Sequence, residues 1–328
     1  MGHPRNRFLH VANGTSTTRT IEAAGIPGAC SIWADPLYEG PVPGGLTDEE
    51  LIDVRTQYLA GPDSSPVNDL RQWRAAIARH EAYDELVLWY EHDLFDQLNL
   101  IQLLPWIRQH LPETKPVTLI CIGAFPGRPD FKGLGELRTD ELAPLLGTRQ
   151  PISEPQYALA ERAWHAFRSP TPEALDALRS SDTSAMPHLS AALTRFLEEY
   201  PWTRDGLSRT ERRLLELAQG HGISLVKAFP LMHQGERSYH VGDLTLASIA
   251  HDLARTSPPL LTVDRSSQST SRVLDAVVGL TSAGSSVLAG QQDRVNTSGL
   301  DRWLGGVHLQ DGKPVWRWDD GRQAMVVT

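Results

Sequence analysis

The sequence predicts an α/β protein whose N-terminal domain is a doubly wound, mostly parallel sheet. Four short apolar runs lie between residues 8 and 122, and helical patterns separate them. Near-continuous apolar runs are typical of strands that are buried on both faces, as in a parallel sheet. The alternation of strands and helices favours crossover connections and therefore this fold class.

Each apolar run ends in turn or helix-start residues. The predicted strands cover residues 8–12, 29–34, 85–90 and 117–122, followed by Asn13-Gly14, Asp35-Pro36, Glu91-His92-Asp93 and Gly123. The predicted helices cover residues 15–24, 47–60, 67–80 and 94–111. We expect Asp93 to cap the last of these helices, since an Asp before a helix accepts a hydrogen bond from its first turn.

The rest of the chain predicts a helical middle segment and a C-terminal winged-helix-like α+β domain. Helical patterns cover residues 139–146, 154–169, 172–180, 186–200, 210–219, 224–233 and 244–256. Ser208 and Glu211 form a capping box before the fifth of these. Apolar runs at 260–263 and 273–280 follow, and then 307–309 and 315–318, which we predict to form a hairpin turning at Asp311-Gly312. Three helices and a hairpin are typical of a winged helix, so the predicted domains are 1–147, 148–204 and 205–328.

The charge balance disfavours nucleic acid as a partner. The 328 residues include 31 Lys plus Arg against 40 Asp plus Glu, for a net charge of -9. Residues 205–328 contain 13 basic and 13 acidic residues, and the predicted recognition helix has no Lys or Arg before Arg255. Because DNA binding usually needs a basic face, packing or formation of a homo-oligomer is the favoured role of this domain.

The sequence also favours the cytoplasm and no contact with a membrane. The first apolar run stops at Asn13, too short for the core of a signal peptide, and no run approaches the roughly 18 residues of a membrane helix. Cys30 and Cys121 each lie in an apolar run. We expect them to be reduced thiols, as in a reducing compartment.

The polar residues that follow the strands define the candidate site, because ligands of open parallel sheets bind beyond the carboxyl ends of the strands. The candidate catalytic residues are His10, Asp35, Glu91, His92 and Asp93, and the candidate ligand-binding residues are Asn13, Gly14, Ser16, Glu39, Gln97 and Arg128.

Glu91 and Asp93 are the strongest catalytic candidates. If the strand persists, alternation places both carboxylates on one side. They could then act as general acid and base, with His92 orienting one of them, or bind a divalent cation with Asp35 completing a site of oxygen ligands. The sequence assigns no metal ligand firmly, and Asp93 could serve as a helix cap alone.

The first strand end offers an anion-binding site. Gly14 and Ser16, at a helix start beside Asn13, present backbone N–H groups and a hydroxyl to a phosphate or carboxylate. An ordinary N-cap explains the same residues. Arg128 could hold an anionic group of the substrate with its guanidinium fork, or form a surface ion pair.

Three further residues have a structural alternative beside the functional one. His10 lies inside a strand, where a structural imidazole is as well supported as a catalytic one. Asp35 and Glu39 flank a turn that they could brace. Asp96 favourably meets the dipole of its helix and is expected to be solvated, whereas Gln97 is expected to reach toward the crevice.

Several segments together resemble a known family. The N-terminal segments are Phe8-Leu9-His10-Val11-Ala12-Asn13-Gly14, Trp33 with Asp35, Glu39-Gly40-Pro41-Val42 and residues 89–98, and the C-terminal ones are residues 206–211, Gly242-Asp243 and residues 303–308. They resemble the bacterial domain of unknown function family numbered eighteen-thirty-five in its long form, a resemblance that covers nearly the whole chain and implies no established activity. Thr15 stands where the family commonly has Asp, and Tyr38 where it commonly has His, so binding without turnover stays open.

The leading functional hypothesis is a hydrolase or transferase that acts on a small anionic or phosphorylated metabolite by acid–base chemistry. Signatures of nicotinamide binding, P-loop triphosphatases, α/β-hydrolases and zinc fingers do not occur in the sequence. Two alternatives come from other classes: a ligand-sensing regulator that uses the winged-helix-like domain, and a protein-interaction adaptor.

Overall fold

The computed structural model describes residues 7–60, 69–265 and 274–328. The chain divides into two compact units: unit 1 is Met1–Leu193 with Gly305–Val307, and unit 2 is Thr194–Leu304 with His308–Thr328. The finer division into domains 1–147, 148–204 and 205–328 stays a prediction. Among the described residues, no helix combines the length and apolar character that crossing a bilayer requires.

Unit 1 contains the predicted strands and helices together with two short strands that the sequence did not indicate. The strands are β1 (Phe8–Ala12), β2 (Ala29–Ile32), β3 (Gly40–Pro41), β4 (Glu85–Glu91), β5 (Val117–Ile122) and β6 (Gln150–Pro151). The helices are α1 (Thr15–Ala23), α2 (Asp48–Ala60), α3 (Asp69–Ala78), α4 (Leu94–His110), α5 (Thr139–Leu142), α6 (Glu154–Phe167) and α7 (Glu173–Arg179), and α8 (Leu189–Leu197) contains the division between the units. Residues 67 and 68 of the third predicted helix lie outside the described residues.

The main sheet has the strand order β2-β1-β4-β5-β6. Its first four strands run parallel, and β6 is antiparallel to β5. This confirms an α/β fold with a mostly parallel sheet. The chain passes from β1 outward to β2 and then returns to the other side of β1 for β4, so the strand order reverses between β1 and β4. Open α/β sheets bind their ligands beyond the carboxyl ends of the strands at such a reversal.

The register of β4 points Glu91 into the unit rather than toward solvent. Side chains alternate along a strand, so Glu91 shares a face with Val87 and Trp89. Those two side chains belong to a buried apolar cluster that also contains Leu134. Ala12 lies opposite Trp89 in the register, and Asn13 and Glu91 therefore extend from adjacent strand ends.

One predicted helix of unit 1 is shorter than expected. The pattern at residues 139–146 predicts one α-helix, but α5 ends at Leu142 and a 3₁₀ turn covers Ala143–Thr148. Pro144 explains the change, since proline lacks the N–H that an α-helix needs at this position. Cys30 and Cys121 are both free thiols, as predicted.

Unit 2 begins with helices and ends with short antiparallel strands. Its helices are α9 (Arg209–Leu217), α10 (Leu225–Met232), α11 (Asp243–Arg255), α12 (Ser282–Leu288) and α13 (Arg294–Ser298). Its strands are β7 (Ile223–Ser224), β8 (Leu261–Arg265), β9 (Ala276–Leu280), β10 (Asp301–Gly305), β11 (Val307–Gln310), β12 (Trp316–Asp319) and β13 (Ala324–Val327). Strands β7, β9 and β8 form an antiparallel sheet in that order, and Val273, the start of one predicted run, lies outside the described residues. The capping box is confirmed, because Glu211 N donates to Ser208 Oγ at 3.1 Å.

The predicted hairpin of residues 307–309 and 315–318 is wrong. The turn at Asp311-Gly312 forms, with Gly312 at a φ of 75°, but the two strands diverge after it. β11 is the neighbour of β10, whereas β12 pairs with β13. Leu300 N donates to Asp311 Oδ1 at 2.6 Å, so the turn residue binds the backbone before β10 instead of closing a hairpin.

Candidate functional site

Three carboxylates meet where β4 ends and α4 begins. One oxygen from each of Glu91, Asp93 and Asp96 lies within 4.8 Å of the others. Glu91 and Asp96 are buried, and Asp93 is partly buried. We call these three residues the carboxylate cluster. It lies at the strand-order reversal, where the parallel fold places a ligand site.

The local sequence builds this cluster through the helix cap. Asp96 N donates to Asp93 Oδ1 at 2.9 Å, which confirms Asp93 as the N-cap of α4. The same first turn directs Asp96 back toward the strand, where Glu91 N donates to Asp96 Oδ1 at 2.9 Å. The expectation that Asp96 is solvated is wrong: its side chain is fully buried because it satisfies the backbone of the strand end.

Asn13 connects the ends of β1 and β4. Its Nδ2 donates to Asp96 Oδ2 at 2.8 Å and to Glu91 Oε1 at 3.3 Å. Thr17 Oγ1 donates to Asn13 Oδ1 at 3.2 Å, which fixes the orientation of the amide. A single amide therefore holds the two buried carboxyl groups next to each other.

A 3₁₀ turn, Leu134–Glu136, covers the Glu91 carboxyl. Leu134 N donates to Glu91 Oε1 at 2.5 Å. Gly133 lies so close that a Cβ atom there would overlap Glu91 Oε2. Ser16 Oγ donates to Gly135 O at 3.3 Å, so this ligand-binding candidate holds the covering turn.

Burial raises the pKa of all three carboxyl groups in the carboxylate cluster. Burial first, and the Asp93 carboxylate second, raise the pKa of Glu91 to about 8. Burial, followed by the charges of Glu91 and Asp93, raises the pKa of Asp96 well above its ordinary range, and burial also raises the pKa of Asp93. Among the described residues, no Lys or Arg forms an ion pair with the three carboxylates. Glu91 therefore retains its proton near neutral pH and can both donate and accept one.

The carboxylate cluster also offers the oxygen ligands that Mg²⁺, Ca²⁺ and Mn²⁺ prefer. A cation bound there would replace the retained protons. Glu91 Oε1, Asp93 Oδ1 and both oxygens of Asp96 already accept hydrogen bonds, which leaves Asp93 Oδ2 and Glu91 Oε2 as the freer oxygen ligands. Asp35, which we expected to complete such a site, does not belong to this group among the described residues.

Asp35 and Glu39 lie instead in a braced loop. Arg55 Nη2 donates to Asp35 Oδ1 at 2.6 Å, and this ion pair is almost completely buried. Arg55 Nη1 donates to Glu39 O at 2.7 Å. Asn99 exchanges two hydrogen bonds with the Asp35 backbone, at 2.9 and 3.0 Å. The geometry corresponds to the bracing alternative for Asp35, and Glu39 belongs to the same braced loop through its backbone carbonyl.

The His10 ring is occupied within the sheet. Trp89 Nε1 donates to His10 Nδ1 at 3.1 Å, and His10 Nε2 donates to Pro27 O at 3.2 Å. Burial lowers the pKa of His10, so the ring is neutral with both nitrogens bonded. This arrangement corresponds to the structural alternative for His10.

His92 faces a second histidine that the sequence did not indicate. The ring centroids of His92 and His188 are 6.0 Å apart, and the angle between the ring planes is 70°. They meet at Gly123, where a Cβ atom would lie 2.7 Å from His188 Cε1 and 3.1 Å from His92 Cβ. His92 Nδ1 is buried without a hydrogen-bond partner among the described residues. His188 follows no strand and shares no motif with His92, so only the tertiary fold shows their proximity.

The remaining ligand-binding candidates are divided between exposed and bonded groups. Gly14 is the N-cap of α1 without a side-chain cap, and the helix start beside it is exposed. Arg128 Nη2 donates to Glu141 Oε2 at 2.7 Å, which corresponds to the alternative that Arg128 forms an ion pair. Gln97 Nε2 donates to Glu91 O at 2.7 Å and also contacts Cys121 Sγ at 3.6 Å. Gln97 therefore contacts the end of β4, but it binds the backbone carbonyl of Glu91.

Comparison of the chain with protein-family models and with curated proteins finds no match. The resemblance to the domain family numbered eighteen-thirty-five stays a prediction, and the function is argued from the geometry of the site.

Proposed function

We propose that unit 1 is an acid–base enzyme, a hydrolase or transferase of a small metabolite, in which Glu91 transfers the proton. One observation carries the proposal: a buried carboxyl at the strand-order reversal has a pKa raised to about 8 and shares Asn13 with a second buried carboxyl, Asp96, whose pKa is also raised. Groups with a pKa near the operating pH are the most effective general acids and bases.

The chemistry assigns different tasks to the carboxylates. In its ionised form Glu91 accepts a proton from an attacking water or hydroxyl group, and in its protonated form it donates a proton to the leaving group. Asp96 and Asn13 hold Glu91 in place, and burial keeps its proton affinity high. Asp93 caps α4 and adds the charge that raises the Glu91 pKa further.

The same charges favour a substrate whose reacting group is uncharged. Each ionised member of the carboxylate cluster repels an anion, and Arg128 is already paired with Glu141. Support for an anionic substrate is limited to the exposed first turn of α1. The proposal also requires that the turn Leu134–Glu136 moves from Glu91, because a substrate cannot otherwise reach the carboxyl.

The test is metabolite turnover by the wild-type chain and by Glu91→Gln. Both proteins are incubated with an extract of small metabolites, and mass spectrometry identifies the compounds that are consumed. We expect Glu91→Gln to lower the rate by roughly 10² to 10⁴, the usual contribution of a general acid or base. The pH dependence of the wild-type rate should include a limb near pH 8 that the variant lacks.

Glu113→Gln is the matched control, because Glu113 is exposed and distant from the carboxylate cluster in sequence. It should turn over the same compounds at the wild-type rate. Equal rates for wild type and Glu91→Gln at every pH would contradict the proposal.

A second candidate function concerns unit 2, which we propose to be a winged-helix-like module that contacts a protein partner rather than DNA. The order of α9, β7, α10, α11, β8 and β9, with an antiparallel sheet of the three strands, supports this interpretation. The start of α11 presents Asp243 and Leu244, the latter 68% exposed, where a DNA reader would present basic residues.

Duplex-DNA binding at low salt discriminates between a contact module and a regulator. For a protein-contact module, we do not expect DNA binding that weakens steeply as the salt concentration rises. That salt dependence arises from phosphate contacts by Lys and Arg. Tight, salt-dependent binding would favour the ligand-sensing regulator instead, and purification of the chain without any partner would count against the adaptor.

A further inference from the structure

Unit 1 contains a cavity of about 320 Å³ on the α4 side of β5. Its volume falls at the small end of the range of about 300–1,000 Å³ that is usual for small-molecule sites. The apolar part of its wall comes from β5, α4 and the segment before α8, and it includes Leu100, Leu119, Ala185, Met186 and Pro187. Ile120 and Ile122 border the cavity along β5, but their side chains lie on the Glu91 face of the sheet. The Glu91 side chain points to the opposite face of the sheet, so this cavity is separate from the carboxylate cluster.

Three polar side chains in the wall each have a hydrogen-bond donor or acceptor that no described residue uses. Gln97 is only 1% exposed, and its amide nitrogen binds the strand end, but its Oε1 accepts no hydrogen bond from the described residues. Gln156 uses its Oε1 to cap α6 at Ser153 and leaves its Nε2 without a partner among those residues. The His188 ring forms no hydrogen bond with any of them either. Buried polar groups are normally satisfied, so the free Oε1 of the buried Gln97 indicates a missing partner, and the partly buried Gln156 and His188 line the same cavity.

The wall carries no full charge. Among the residues that the structure describes, no Asp, Glu, Lys or Arg lines the cavity. Burial lowers the pKa of His188 and raises the pKa of Cys121 to about 12, so the imidazole and the thiol are both neutral near pH 7. An ion that entered this cavity would lose its hydration without gaining a counter-ion, which is costly.

We propose that this cavity binds an uncharged small molecule with an apolar body and one polar end of the primary-amide type, able to donate and accept hydrogen bonds. Gln97 Oε1 accepts from the amide of the ligand, and Gln156 Nε2 donates to its carbonyl. His188 contributes one donor and one acceptor beside them. The apolar wall receives the hydrocarbon part, whose burial supplies most of the affinity.

Three probes of the same length test the chemical class: hexanamide, hexanoate and hexylammonium, titrated into the full chain near pH 7 by calorimetry. We expect saturable binding of hexanamide and at least roughly tenfold weaker binding of both ions, since each ion would be buried unpaired. Absence of saturable hexanamide binding, or equal affinity for either ion, would overturn the proposal.

Two variants locate the binding. Ala185→Trp fills the cavity from a partly exposed position and should abolish hexanamide binding, whereas Ala82→Trp, at an exposed position outside the wall, should not. Gln156→Glu preserves the helix cap, because Glu serves that position as well as Gln, and it adds one negative charge. It should weaken hexanamide binding and strengthen hexylammonium binding. Unchanged affinities in both Ala185→Trp and Gln156→Glu would show that the probe binds elsewhere and would refute the assignment, whatever the outcome for Glu91 turnover.

Discussion

The raised pKa of Glu91 predicts how the stability of the chain depends on pH. The folded chain holds this proton with a pKa of about 8, against the ordinary value of 4.5. Stabilisation by this group is therefore complete below pH 4.5 and is lost as the pH rises through 8. At about 1.4 kcal/mol for each pKa unit, the free energy of unfolding should fall by about 5 kcal/mol across that range. Glu91→Gln can still accept from Leu134 N but cannot ionise, so this loss should disappear.

The assay is urea unfolding followed by tryptophan fluorescence, from about pH 5 to about pH 9. Trp89 is buried on the same face of β4 as Glu91, which makes the fluorescence sensitive to this part of the core. The wild-type curve should fall with pH much more steeply than that of Glu91→Gln, and the two should cross so that the variant is the more stable protein at high pH. Glu113→Gln should follow the wild type. Parallel curves for wild type and Glu91→Gln would refute the argument that burial holds a proton on this carboxyl.

Two further changes test the surroundings of the site. Gly133→Ala should lower the free energy of unfolding by about 1–3 kcal/mol, because its Cβ would overlap the Glu91 carboxyl. Gly147→Ala, whose Cβ meets nothing within 4 Å, is the control, and equal melting temperatures of the two variants would contradict the close contact. Arg55→Leu should cost about 3–5 kcal/mol in urea unfolding, because it leaves the Asp35 carboxylate buried without its partner. Arg7→Leu breaks an exposed pair and should leave the free energy nearly unchanged, so similar losses in the two variants would argue against a buried pair.

The parts of the fold that depend on local pattern could be predicted from the sequence. The bounds of β1 and β5 follow from apolar runs that end in turn residues, and the cap at Asp93 follows from one residue and the helix after it. The hairpin prediction at Asp311-Gly312 was wrong because a turn pattern predicts the turn but not which strands pair on either side of it. His188 was missed for a related reason: it meets His92 only through the tertiary fold.

Whether an acidic residue after a strand is ionised or protonated depends on the side chains that it contacts in the folded protein. A single sequence does not show those contacts. Asp35 and Glu91 both come at the end of apolar runs, both are buried, and both were catalytic candidates. Arg55 lies against Asp35 and makes it part of a braced loop. Glu91 meets an amide, a backbone N–H and two more carboxylates, so no cation compensates its charge and the proton stays. A buried carboxyl group is thus structural beside a guanidinium and suited to proton transfer without one. An arginine beside Glu91 would therefore convert a proton-transfer group into a second brace.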